Sequence, residues 1–443
     1  MLTPLVSSLT NPIPALVPAA WFRGGYGVTG TLTASNWADQ SGNGRDLAQA
    51  TGGNQPIYLP YSGTPYAYLP GVAGNYFSTP DSAASSITGD IDIRIRVALN
   101  DWASGTQQPL ASKYDAGNVS YRLIVDTGNK LQLVTSADGS STISYTSTAA
   151  PSAASGAMLW VRVTLDVDNG AAGKTATFYT STDTTNASSE VTWTQLGSAV
   201  TSAGTTSIYN STVILQVGSE VFDSLYVIGK IYRAQIYNGI NGTLAVDFNP
   251  SDFAETCTNG ATAVSSGTGE TWTLNSTGAK PARITKSPML VGDGTNHKMA
   301  TSNFTLNQAV EHFMVVQPIS WTAADYMLSG TVAEAGITQV TGTPQIGLNA
   351  GSAAAANSNA ALGSFCIIHA AINGASSSLT VNNGTAATGN AGANNPGGIT
   401  LFSNQAGTGY FNGAVKELVT FGALSAADRV RVFNWLNYVH HCY

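Results

Sequence analysis

The sequence is short of charge: 18 Lys and Arg with 25 Asp and Glu make 10% of 443 residues, against about 25% in ordinary soluble domains. The net charge of −7, with no run of basic residues, excludes a protein that works by neutralising phosphates. Three cysteines, Cys257, Cys366 and Cys442, are too few and scattered for a disulfide framework. No two have metal-ligand spacing, so free thiols are expected. No 18-residue apolar stretch occurs, which excludes membrane insertion through a helix. The first basic residue is Arg23, leaving no positive start for a signal peptide, so assembly in a cytoplasm is the expectation.

Glycine and proline, 47 and 17 residues, stay well below the roughly 25–30% of disordered low-complexity chains. With 43% hydrophobic residues, the chain can bury a sizeable core. Ser, Thr, Asn, Ala and Gly stand where charge is missing, a mixture suited to turns and pleated faces, so an all-β fold is expected. The length allows two β-sandwiches of about 200 residues each.

Residues 91–99, IDIRIRVAL, alternate, with Ile91, Ile93, Ile95 and Val97 on one face and Asp92, Arg94 and Arg96 on the other. Residues 159–167 do the same, and both read as strands with one core face and one wet face. Asp126-Thr127-Gly128-Asn129 and Asp168-Asn169-Gly170 join apolar runs as hairpins, with glycine available for positive φ. Further strands are expected at 213–218, 230–237, 311–317, 364–370 and 414–421. The stretches 348–362 and 382–399 lack periodicity and read as loops. A terminal helix starts at Ser425, an N-cap, and presents Val430, Phe433, Leu436 and Val439.

The chain repeats itself. WADQSGNGRDL at 37–47 and LPGVAGNYFST at 69–79 have a fainter copy in TGETWTL at 268–274 and LVGDGTNHKMAT at 290–301. GKIYRAQIYNGI at 229–240 aligns without a gap on GAVKELVTFGAL at 413–424, and 160–168 overlays 365–373. A period near 200 residues means domain duplication, since solenoid repeats run about 20–50. The expected division is 1–19 as an arm, 20–247 as a first sandwich and 248–443 as a second, with a junction near Asn249-Pro250 and the Trp37 or Leu47 region matching the Trp272 region.

Three features resemble the laminin-G-like or concanavalin A-like jelly rolls of bacteriophage virion proteins. They are W-x-D-x-S-G-N-G-x-x-L at Trp37–Leu47, Gly-x-Ile-Tyr-x-Ala at Gly229–Ala234, and Lys416-Glu417-Leu418 followed by the Leu424-Ser425 helix start. The resemblance spans roughly residues 20–440 and implies two tandem concanavalin A-like jelly-roll β-sandwiches with a short C-terminal helix. The second copy lacks D-x-S-G-N-G. The fold hosts lectins, glycosidases and inert modules alike.

Glycosidases resembling this fold carry Glu-x-Asp-x-x-Glu on one strand, and none of the seven Glu here begins that pattern. The pairs Asp90 with Asp92 and Asp166 with Asp168 sit at strand ends, where carboxylates are commonly solvated. Of the five histidines, none stands in a nucleophile motif. His312 and His369 read as sheet histidines, and His440 and His441 as a frayed helix end. No catalytic residue and no enzyme activity are expected.

Asp39, Ser41, Asn43 and Asp46 pack oxygen ligands between glycines, which suits Ca²⁺; Asp39, Asn43 and Asp46 are the metal candidates. The same spacing suits an Asx turn that needs no ion. Tyr58, Tyr61, Tyr66 and Tyr68 cluster between prolines and read either as a sugar platform or as a loop folded over by its own aromatics. No cofactor is required, with calcium the one candidate.

Residues 1–19 have no charge and carry Pro4, Pro12, Pro14 and Pro18 with Leu2, Leu5, Val6, Leu9, Ile13, Leu16 and Val17. They read as an extended arm docked on another subunit. The functional expectation is a non-enzymatic virion protein, a head decoration or fibre or a tail fibre or spike. Its partners would be other virion proteins, copies of itself and host-surface glycans, with no nucleic acid. The alternative is a glycan-active receptor binder or polysaccharide depolymerase.

Overall fold

The computed structural model describes residues 10–221, 225–278, 280–341 and 344–442. It is built of antiparallel strands, with Ala426–His440 as its α-helix. The chain forms two compact units, but not in tandem. A split unit comprises residues 1–61 and 287–443, and an inserted unit comprises residues 62–286.

The division expected at 247/248 is therefore corrected, and strand pairing gives the reason. Ala20–Arg23 pairs with Asn412–Gly422, and Ile57–Leu59 pairs with Met289–Asp293. Reciprocally, Thr243–Phe248 pairs with Ile228–Asn238, Thr271–Asn275 with Tyr76–Thr79, and Arg283–Thr285 with Tyr66–Pro70. Each copy's opening strands complete the sandwich of the other copy. Asn249-Pro250 is not a junction: Pro250–Asp252 is a helical turn inside the inserted unit, and the Asn249 side chain accepts from the Ser251 amide.

The repeat itself is present in the strand order of both units. In the inserted unit one sheet runs Thr194–Gln195, Gly173–Ser181, Met158–Asp166, Ile91–Leu99, Ile228–Asn238, Tyr66–Pro70, Arg283–Thr285. In the split unit it runs Ala387–Gly389, Ser377–Val381, Cys366–Ile372, Val310–Pro318, Asn412–Gly422, Met289–Asp293, Ile57–Leu59. The second sheets correspond likewise, and there the Leu47–Ala48 strand, not the Trp37 strand, occupies the place of Thr271–Asn275. Both units are two-sheet jelly-roll sandwiches.

Even the irregularities coincide. The register of Ile228–Asn238 against Ile91–Leu99 slips at Tyr232, and that of Asn412–Gly422 against Val310–Pro318 slips at Lys416, positions the ungapped alignment superposes. Such a bulge adds twist and re-aims the residues beyond it. The register also places Asp92 where Glu311 stands, opposite Tyr237 and Phe421 respectively. Opposite Arg94 and Phe313 lie Arg162 and His369, so the overlay of 160–168 on 365–373 is corrected by two residues.

Each sandwich has its own core. Ile91, Ile93, Ile95, Val97, Leu123, Val163 and Phe178 belong to the inserted core, and Trp37, Leu47, Met314, Ile368, Leu401 and Leu418 to the split one. The expected wet face of Ile91–Leu99 is a correction: every residue of that strand is buried, and on the second face Asp92 is paired with Arg94 and Arg162. Asn129, not Gly128, takes the positive φ of its hairpin. The stretches read as loops contain short strands at Ala353–Asn357 and Ala387–Gly389.

The helix is capped as expected, with the Ser425 hydroxyl accepting from the Asp428 amide. It buries Val432, Phe433 and Leu436, while Val430 faces solvent. The arm is also corrected where it is described. Ile13 is fully buried among Trp21, Phe313, Phe433 and Leu436 of its own chain, and the Ala19 amide donates to the Thr420 carbonyl. Leu2, Pro4, Leu5, Val6 and Leu9 lie outside the described residues.

Candidate functional site

The four tyrosines do not share a surface. Tyr58 and Tyr61 belong to the split unit, Tyr66 and Tyr68 to the inserted one. Tyr66 and Tyr68 are both buried, and that burial pushes their phenols up. Tyr66 packs 5.5 Å from the Tyr232 ring. Neither can stack on a sugar in water, so the platform reading is corrected for this pair.

The Asp39 loop is a knot of protein hydrogen bonds. Asp39 Oδ1 accepts from the Trp21 and Ser41 amides, each at 2.9 Å, and Oδ2 accepts from the Ser41 hydroxyl at 2.7 Å and the Arg45 amide at 3.1 Å. Asp46 Oδ1 takes the Asp39 amide at 2.9 Å, while Asn43 donates to the Pro18 and Ala19 carbonyls. This is Asx-turn chemistry that staples the loop to the first strand. Among the described residues no three His, Cys, Asp or Glu are placed to hold a metal.

Two buried carboxylates organise the split unit. Glu311 accepts from Arg429 Nε at 2.8 Å and Nη2 at 2.7 Å and from the Leu424 amide at 2.8 Å, and its Oε2 meets His369 Nε2 at 2.8 Å. Burial alone would raise its carboxyl, but these bonds hold it at about 2. His312 beside it is pushed down by burial to about 3 and is neutral, its Nδ1 2.9 Å from Thr420 Oγ1. Glu417 accepts from Trp21 Nε1 at 2.7 Å and lies 2.7 Å from His440 Nε2. The two glutamates thus pin the two ends of the helix to one sheet face, and His440 is not frayed.

Beside the second pin lies a cleft of about 340 Å³ lined by Arg23, Tyr26, Tyr61, Pro288 and His440, with Gly24, Gly25, Ser287 and Val439. The Tyr26 ring is 51% exposed and carries the Arg23 guanidinium 4.5 Å from its centroid. Gly24 allows the close approach that shapes the floor, since a Cβ there would lie 2.6 Å from the Lys416 carbonyl oxygen and 2.7 Å from that of Pro288. A flat aromatic edge, a fixed cation and an oriented imidazole suit a ring bearing hydroxyls. Of the sequence candidates only Tyr61 reaches this cleft. Glu417 carried a sequence signal: a carboxylate within the largely apolar strand AVKELVTF at 414–421.

The inserted unit has a hub at the position of Glu311. Asp92 is fully buried and bonded by Arg94 Nη2 at 2.7 Å and by Arg162 at 2.9 and 2.8 Å. Burial works to raise its carboxyl; hydrogen bonds from Arg94 and Arg162 outweigh that and hold it down. Asp92 is thus not the solvated strand-end group expected, while Asp166 and Asp168 each accept from an exposed turn amide two residues on.

No family model and no curated protein matches the chain. Among solved structures it is similar to the mouse laminin α1 chain, domains LG4-5, at 11% identity, with 81% of this chain and 89% of that one covered and a TM-score of 0.30. A Bacteroides ovatus protein described as carbohydrate binding matches at 11% identity over 56% of this chain and 67% of its own, TM-score 0.35. The LG1-3 region of the laminin α2 chain matches at 10% identity over 86% and 66%, TM-score 0.30.

Proposed function

We propose that this chain is a non-catalytic structural protein of a bacteriophage virion, a head decoration or fibre or a tail fibre or spike, that recognises glycan through the Tyr26 cleft. The observation that carries glycan recognition is the half-exposed Tyr26 ring, held by Arg23 at the mouth of a cleft of about 340 Å³, the size range of small-ligand sites. The sequence resemblance and the low charge support the virion part. Its partners are other virion proteins and further copies of itself, and it is assembled in the host cytoplasm.

A glycan-active enzyme is the second reading, favoured by one observation. His440 is oriented by buried Glu417, and Ser287 lines the same cleft; a hydroxyl and a carboxylate-oriented imidazole are two parts of the acyl-transfer chemistry that removes ester groups from a polysaccharide.

The purified chain is incubated with a panel of bacterial surface polysaccharides. Retention without release of reducing ends, cut at least tenfold by Tyr26→Ala with unchanged circular dichroism, supports recognition. Release of ester-bound acetate or of reducing ends that His440→Ala abolishes moves the reading to the enzyme. Neither retention nor cleavage leaves a scaffold. Immunogold labelling of purified phage particles tests the virion assignment.

A further inference from the structure

On the outer face of the inserted unit's Ile91–Leu99 sheet, Arg94, Arg96, Arg162, Lys230 and Arg233 lie on three neighbouring strands. Asp92 takes Arg94 and Arg162, helped by Asn241 Oδ1, which accepts from both. Asp247 takes Arg233 through two bonds of 2.8 and 2.6 Å. Arg96 and Lys230 remain.

Arg96 is 5% exposed, and its polar contacts are Met158 Sδ and Asn186 Oδ1, both at 3.4 Å. Lys230 is 9% exposed. Among the described residues neither has a carboxylate partner. Each lies over a ring instead, Arg96 4.9 Å from the Tyr232 centroid and Lys230 5.4 Å from that of Tyr66. The rings are 5.5 Å apart, so Arg96, Tyr232, Tyr66 and Lys230 form one continuous series.

Two largely buried cations without a carboxylate are unfavourable, and ring faces compensate only in part. Burial pushes both groups down, the direction an absent anion would reverse. Tyr232, the extra residue of the bulge, is partly exposed.

We propose that Arg96 and Lys230 form an anion-recognition site for an acidic oligosaccharide, whose carboxylates reach the two cations on either side of the Tyr232 and Tyr66 rings and one of whose sugar rings lies against Tyr232. The anion follows from the unpaired charges. The choice of a saccharide rests on the glycan-recognition reading, although this site shares no residue with the Tyr26 cleft.

The test titrates the full chain at low salt with trigalacturonate and, separately, with its neutral methyl ester. Binding of the acid at least tenfold tighter than the ester is expected, with inorganic sulfate competing. Lys230→Met and Arg96→Met should each weaken acid binding at least tenfold and leave the melting temperature equal or higher, because the lost charge was unpaired. Equal affinity for acid and ester overturns the proposal, and needs no variant to fold. So does a Met variant that keeps wild-type acid affinity. Sulfate binding without trigalacturonate binding overturns the saccharide assignment and leaves the Tyr26 cleft untouched. Loss of acid binding on Tyr26→Ala, with Lys230→Met unaffected, would transfer the acid to the cleft and overturn this site.

Discussion

Glu311→Gln tests how the helix is held. Glu311 is 2% exposed and receives two bonds from Arg429, one from the Leu424 amide and one contact with His369. Its carboxyl stands at about 2 instead of the ordinary 4.5, a preference of the fold for the charged form of about 3 kcal/mol. The folded value is depressed, so this stability is fully present above pH 4.5 and is lost as pH falls through 2. Gln cannot carry the charge and can accept on one oxygen only. Removing one partner of a buried pair costs about 3–5 kcal/mol. Arg429 is partly exposed and can turn to water, which favours the lower end. Hydrogen exchange of the 426–440 amides should therefore show an opening free energy about 3 kcal/mol lower in the variant at pH 7, with the gap closing between pH 4.5 and 2. A gap that stays constant down to pH 2 would refute the ion-pair argument, since it would then come from packing alone.

Residues 62–286 expressed alone should unfold cooperatively with the circular dichroism of a β-sandwich, whereas residues 20–247, the tandem division, should be insoluble or molten; the reverse result sinks the exchanged-opening topology. Gly71→Ala should cost the inserted unit about 2–4 kcal/mol in urea unfolding, because φ is +72° and the new Cβ collides with the Ile228 side chain. Gly42→Ala, with φ +86° and open space around it, should cost only about 1–2 kcal/mol, and equal losses would contradict the clash. EDTA should leave the melting temperature within about 1 °C, whereas Asp39→Ala should lower the stability of the split unit by about 2–4 kcal/mol through four lost hydrogen bonds; a rise in melting temperature with added calcium would restore the metal reading.

Alternation along 91–99 and 159–167, the Ser425 cap and the ungapped match of 229–240 to 413–424 determined much without any tertiary information: strands, a terminal helix and a duplicated sandwich. These are local properties, since side-chain direction in a strand and amide satisfaction at a helix start depend on near neighbours. Which body each opening segment joins was decided only in three dimensions. Backbone edges offer the same donors and acceptors to any strand, so Ile57–Leu59 and Arg283–Thr285 could each complete either copy, and chain order does not say which. Burial of the charged face was undecided for a related reason. Asp92, Arg94 and Arg96 alternate as a wet face would, but Arg162 and Asn241, 70 and 149 residues away from Asp92, close over the carboxylate. The tyrosines were separated in the same way: four rings within eleven residues of sequence straddle a unit boundary at Tyr61, and the Tyr26 cleft drew its wall instead from His440, at the far end of the chain.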